Sequence, residues 1–291
     1  MILVQRYLVL MLVGMSLVHY AIAWKTGVPL ELAILGSSVL TLMVAWVLER
    51  ALPYRRQWNA NHGDLKTDMA SAGVIAVLID PLLKVLAPLG VVAVYAGSGV
   101  TPILAGWSLW LQIIFVLLVV EFGKYWSHRL HHRSASLWWL HAMHRSSRRM
   151  YFLNGMRFHP LNYAINFALA IFPVMLLSVS PEAILGYLAI TQPVVLLQHA
   201  NIDLHHGVLN RVFSTPEVHR WHHSTVAHEA DKNFGNAFLL WDHVFGTFKG
   251  AEGFDENKEV GLFTASSSSY PEAKGYLAQL ACVLKPPCCH A

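Results

Sequence analysis

Six stretches of this chain are long, apolar and almost free of charge: Tyr7 to Trp24, Pro29 to Leu48, Ala70 to Ala96, Ile103 to Val120, Leu161 to Ser178 and Ala183 to Gln198. A helix rises about 1.5 Å per residue, so roughly 20 such residues cross about 30 Å of hydrocarbon. The first stretch carries no charged residue, the second only Glu31 near its start, and Lys25 to Val28 make the turn between them. The third is interrupted by Asp80, Pro81, Lys84 and Pro88. Asp80 and Lys84 stand four apart and can pair across one turn, so a kinked or partly re-entrant span is expected there. The last stretch is short and holds Pro193. Although the first stretch follows Arg6 as a secretory signal would, its run is long and no small-residue cleavage pattern precedes the second, so it reads as an anchor. The expected fold class is all-α, an integral-membrane helical bundle of four to six transmembrane helices.

Composition narrows the reading. Of 291 residues 55% are hydrophobic and 13% charged, which excludes a disordered chain, a coiled coil and an ordinary soluble enzyme. A net charge of +4 on so apolar a chain argues against nucleic acid as a main partner. With six crossings and Met1 inside, the segments Glu49 to Met69, Glu121 to Pro160 and His199 to Ala291 share the inner side. They hold 18 of the 21 Lys and Arg residues, the positive-inside pattern. The expected location is therefore a multi-pass membrane protein with these segments on the cytoplasmic side.

Histidine is the residue out of proportion: 17 in all, 14 of them between His128 and His243, all on that cytoplasmic side. His128 and His132 are four apart, and on a helix they project from one face. His141 and His144 are three apart, and His219, His222 and His223 follow at i, i+3 and i+4. Three such groups suit a dinuclear metal site. Imidazole serves iron, zinc, copper and nickel alike, so the ligand type does not choose the metal. A structural zinc normally takes cysteine among four ligands, whereas Cys282, Cys288 and Cys289 all sit at the far C-terminus. Single histidines, His19, His62, His206, His228, His243 and His290, read as surface or hydrogen-bonded residues.

At this point the chain resembles a known family, the fatty acid hydroxylase and sterol desaturase superfamily of integral-membrane non-haem diiron oxygenases. The resemblance runs from about Val119 to Lys249 and rests on several stretches in order. These are the His128/His132 pair, Leu137-Trp138 leading into His141 and His144, Asn154 to Pro160 (Asn-Gly-Met-Arg-Phe-His-Pro) and His199-Ala-Asn201. Thr215-Pro216 to His223, Asp231 to Gly235 and Trp241 to Thr247 complete the set. The resemblance implies two iron ions held by histidine at the cytosolic membrane surface, a lipid substrate, O2, and two electrons from a separate donor protein. By position, His128, His141, His144, His219 and His222 look like ligands of one metal, and His132, His199 and His223 like ligands of the other. The family's second box usually ends in a further histidine where this chain has Arg145. A guanidinium has no lone pair to give, so the second metal is expected to be one ligand short, and three outcomes stand open: His159, His205 or a carboxylate replaces the ligand, one site is weak or empty, or Arg145 turns away to a lipid headgroup or an Asp.

Ligating histidines usually donate their other ring N–H to an outer acceptor, for which Glu121, Asp203, Glu217, Asp231 and Asp242 are the acidic candidates. The tryptophans Trp107, Trp110, Trp126, Trp138 and Trp139 read as interfacial anchors or as the lining of a lateral access route for lipid. The expected division is 1–102 for the N-terminal membrane anchor, 103–250 for the histidine-box catalytic domain and 251–291 for a C-terminal tail, with Ala265 to Tyr270 as a flexible linker. Three rivals stand beside the oxygenase. A degenerate, non-catalytic member follows if the second site is incomplete. A metal carrier or bis-histidine haem protein would need ligands within the spans, where His19 is the one histidine. A zinc hydrolase would need a His-Glu-x-x-His arrangement, and none is present.

Overall fold

Where the sequence runs apolar, the chain is helical. The computed structural model describes residues 2–95, 104, 106–255, 257–263, 266 and 269–284. Helix α1 spans Ile2–Thr26 and α2 spans Leu30–Ala51. Gly27, at φ +72°, makes the left-handed step between them, and Pro29 starts the second. Helix α3 runs over Leu65–Tyr95 and α4 over Leu109–Arg133. These four helices are each long and apolar enough to cross a membrane.

The expected irregularity in the third span is a π-helical stretch, Val74–Ile79, directly before Asp80. Lys84 pairs with Asp80 at 2.6 Å, and Tyr163 donates to the same carboxylate at 2.9 Å. The polar interruption therefore ties α3 to a neighbour. After α4 come α5 (Ala135–Arg145), α6 (Pro160–Leu176), α7 (Pro181–Leu197) and the short α8 (Pro216–His222). At 17 residues, α6 and α7 rise about 26 Å each, less than the hydrocarbon thickness. Proline opens α6, α7 and α8, where its missing N–H costs no hydrogen bond. Among the described residues there is no strand, only isolated bridges such as Ser224 with Val260.

Packing follows the apolar faces. One core joins α1, α2 and α7 through Leu8, Leu12, Ala45, Val194 and Leu197. Another joins α4, α6 and α7 through Val116, Val120, Val174 and Tyr187. Gly123 of α4 lies so close to the α6 backbone at Leu169 and Ala170 that a side chain there would collide with it. Trp110 stays on the outer surface of α4, and Trp138 is fully enclosed.

The three segments that the charge count groups on one side are joined by a single carboxylate. Glu49, at the end of α2, accepts from the backbone N–H of Phe152 (2.6 Å) and of Asn201 (2.9 Å). The linker expected at Ala265 to Tyr270 is pinned at two of its described residues: Ser266 is buried and accepts from Trp138 Nε1 at 3.0 Å, and Tyr270 is buried. Ala265, Ser267 and Ser268, the expected boundary at 102–103, and Cys288, Cys289 and His290 lie outside the described residues.

Candidate metal centre

The end of α4 carries His128 and His132 on one face, and α5 folds back from Ser134 to bring His141 and His144 alongside. His199 follows α7, and α8 supplies His219, His222 and His223. The eight rings form two groups. His128, His132, His141 and His222 make the first, and His144, His199, His219 and His223 the second, each with its ligand atoms within 4.8 Å of one another. Seven of the eight residues are buried, and His128 is partly so.

This grouping corrects the one implied by family position. His132 belongs with His128, four residues along one helix face, whereas His141 and His144, also on one face at a spacing of three, divide between the two groups. The neighbours His222 and His223 also part company, since His223 is the residue at which α8 ends. His159 is in neither group. As the residue before Pro160 it caps α6, its Nδ1 accepting from Leu161 N at 3.1 Å. His205 sits exposed beside Asp203.

Arg145 leaves neither group short of histidine. Its guanidinium turns away and donates from Nη2 to the carbonyls of Ser224 (2.7 Å) and Gly261 (3.2 Å), lying over the Phe263 ring at 5.2 Å. Burial lowers it to about 9 from an ordinary 12.5.

The outer side of six of the eight rings shows which nitrogen faces inward. His128 donates from Nδ1 to Phe234 O (3.0 Å), His222 to Lys232 O (3.0 Å) and His132 to Asp231 Oδ1 (3.2 Å). Three of the four outer acceptors of the first group thus come from one loop, 231–234. Asn233 at φ +54° turns that loop, and Asp242 holds it by accepting from Phe234 N and Gly235 N. His141 donates to Asn162 Oδ1 (3.3 Å). In the second group His144 donates to Arg157 O (3.2 Å) and His199 to Asn154 Oδ1 (2.8 Å). Gly155 packs closely there, and a Cβ would lie 3.3 Å from the His199 ring, which would have to give by a few tenths of an ångström. Phe158 stacks on His144 at 4.6 Å.

With those six protons committed outward, the inward nitrogens of the six rings are lone pairs, whereas His219 has no outer acceptor and its Nδ1 is buried without a partner. His128 Nε2 and His141 Nε2 face each other at 3.2 Å, and His199 Nε2 and His219 Nε2 at 3.1 Å. Two ligands each ~2.1 Å from one ion at tetrahedral or octahedral angles lie about 3.0–3.4 Å apart. Nε2 of His132, His222 and His223 is buried without a partner. Orphaned acceptors at ligand spacing fit a pair of cations and are costly otherwise. Burial keeps the rings in the neutral, ligating form. It pushes His199 down to about 3, helped by the charges of Arg145 and His128, and holds His141, His144, His219, His222 and His223 well below 6.5.

The segment beyond residue 258 touches both groups. Gly261 N donates to His223 O (2.9 Å), Thr225 N donates to Glu259 O (3.2 Å), and Phe263 stacks on Trp138 at 4.5 Å, the two rings lying beside His132 of the first group at 6.2 and 5.2 Å.

Of the acidic candidates for outer contacts, Asp231 alone meets a clustered ring. Glu217 holds His206 at 2.6 Å, Glu121 accepts from Ala237 N, Phe238 N and Tyr187, Asp203 pairs with His205, and Asp242 shapes the loop. The amides Asn154 and Asn162 and the carbonyls of Arg157, Lys232 and Phe234 were not foreseen in these roles. A carbonyl is common to every residue and leaves no trace in a sequence.

The chain is similar to known proteins. The fatty acid hydroxylase family model matches residues 113–247. The chain is 33% identical to an ornithine lipid hydroxylase of Rhizobium tropici over 250 residues, covering 83% of this chain and 72% of that protein. It is 32% identical to alkylglycerol monooxygenase of Caenorhabditis elegans over 152 residues, 52% of this chain and 29% of the relative. With the Homo sapiens alkylglycerol monooxygenase it shares 25% identity over 224 residues, 76% of this chain and 46% of the relative. No solved structure matches the chain.

Proposed function

This chain belongs to the fatty acid hydroxylase family, and we propose that it oxidises a C–H position of a membrane lipid at a two-iron centre held by the eight clustered histidines. The observation that carries this reading is the pair of buried four-histidine groups whose inward nitrogens lie at ligand spacing. Bound iron supplies the O2-dependent attack on an unactivated C–H bond. The balance for hydroxylation is RH + O2 + 2e− + 2H+ giving ROH + H2O. For desaturation, R–CH2–CH2–R′ + O2 + 2e− + 2H+ gives the alkene and two waters. The names of the relatives favour hydroxylation. The electrons come from a separate donor protein, and the positive-inside count supports a cytoplasmic site.

The chain's own part is positional. The 231–234 loop and the 154–162 stretch fix the ring tautomers before any metal arrives, which lowers the ordering cost of binding. The rings of Phe234 and Phe158, packed on the two groups, keep bulk water from them.

The test is iron analysis of the purified protein combined with lipidomics of cells with and without the gene. Two irons per chain without a Soret band, and a lipid gaining one oxygen, are expected. A protein free of iron, or one with a Soret band, overturns the reading.

A further inference from the structure

We propose that His131 and Asn162, neither of them in a metal group, form a relay that decides which nitrogen of His141 faces the first group. The inference rests on the two-iron reading of the site and adds two positioning residues to it.

Each link of the relay is forced by the one before. His131 Nδ1 lies 2.7 Å from the backbone carbonyl of Ser127, an oxygen that can only accept, so Nδ1 carries the proton. Nε2 of His131 is then a lone pair. It accepts from Asn162 Nδ2 at 2.8 Å. That contact settles which way the amide points, with Oδ1 toward His141 Nδ1 at 3.3 Å. An amide oxygen again can only accept, so His141 is protonated on Nδ1 and its Nε2 turns inward as a lone pair, 3.2 Å from that of His128.

The reversed amide would set Oδ1 against the lone pair of His131 and NH2 against the proton of His141. Both contacts would be repulsive, and with His131 and Asn162 at 0% exposure and His141 at 2%, no water can substitute. The arrangement explains why His131, one residue from the ligand candidate His132, is directed away from both groups. The second group solves the same problem differently. Asn154 is oriented by donating Nδ2 to the carbonyl of Arg149 at 2.5 Å, and its Oδ1 then receives His199 Nδ1. A backbone carbonyl orients one amide directly, and a buried imidazole passes the orientation to the other.

The test is anaerobic titration of the metal-free full chain in detergent with Fe(II) against a competing chelator. Wild type, Asn162→Leu, Asn162→Asp, His131→Phe and the double variant Asn162→Asp/His131→Phe are compared. Asn162→Leu should weaken one of the two iron equivalents by roughly 10–100-fold and spare the other. His131→Phe, which frees the amide to rotate, should weaken the same equivalent by less. Asn162→Asp offers an oxygen to His141 Nδ1 whichever way it turns, while its other oxygen opposes the His131 lone pair until that nitrogen takes up a proton, so it should weaken the equivalent less than Asn162→Leu, and adding His131→Phe to it should not lower the affinity further. A role in filling space alone would make Leu and Asp equally weak, or make the His131→Phe loss persist in the Asp background, and either outcome overturns the relay. Should Asn162→Leu not fold, the comparison of His131→Phe with the double variant decides alone. If wild type takes up no iron, the functional reading fails; if it takes up two and every variant matches it, only the relay fails.

Discussion

Asp231 accepts the Nδ1 proton of His132 at 3.2 Å, and the two differ sharply in exposure: the ring is enclosed, while the carboxylate is 31% exposed. It is the one charged acceptor among the four that hold the first group. A negative partner makes an imidazole a stronger donor to a metal. Asp231→Asn keeps an acceptor at the same place and removes the charge, so iron affinity of one equivalent should fall roughly tenfold or more. Chelator competition measures it. Unchanged affinity would mean that the carboxylate serves only the loop.

His222 and His223 are neighbours in sequence and belong to different groups. His222→Ala and His223→Ala should therefore each lower iron by about one equivalent, and the double variant should lose both. Elemental analysis after gel filtration reads the outcome. A single variant that empties the protein would indicate one cooperative site in place of two.

Arg145→His tests the missing box residue. Because the guanidinium points to Ser224 O and Gly261 O, a histidine there would not enter either group. The iron count should stay at the wild-type value, and the apparent Tm should fall, with a loss of about 1.5–3 kcal/mol for hydrogen bonds from a charged donor. A rise in bound iron would show that position 145 still belongs to the ligand set.

Arg149 grips Asp64 at both oxygens, Nε to Oδ2 and Nη2 to Oδ1, each at 2.8 Å. Burial pushes the Asp64 carboxyl up, but the hydrogen bonds and charge of Arg149, with Arg157 beyond, reverse this and leave it below the ordinary value. A carboxyl lowered on folding stabilises the protein above its unfolded pKa, and that contribution is lost as pH falls through the folded value. Asp64→Asn should thus lie below wild type in apparent Tm by a constant margin from pH 5 upward. The margin should shrink as the pH drops below ~4. A margin independent of pH down to 3 would refute the linkage.

The membrane helices, the histidine pairs and their shared side were legible because hydrophobic length and helical spacing are properties of residue type. The grouping of the rings was not. It depends on α5 folding back at Ser134 and on α8 stopping at His223, both of which turn on tertiary packing. Asn162 looked like any polar residue near a helix start, and its role emerges only when His131 and His141, 31 and 21 residues away, meet on either side of it. The deficit expected from Arg145 assumed that the box sequence alone sets the ligand number. In space, four histidines reach each group without it.

The pairing of Gly261 with His223 and of Glu259 with Thr225 carries a practical warning for anyone trimming the protein. A shortened version stopping near residue 250 would retain every clustered histidine and all of the matched family region, and would pass any check based on sequence. It would also strip the backbone partners from His223 and Thr225 and the Phe263 ring from beside His132, so weaker metal retention should show up before any loss of helix.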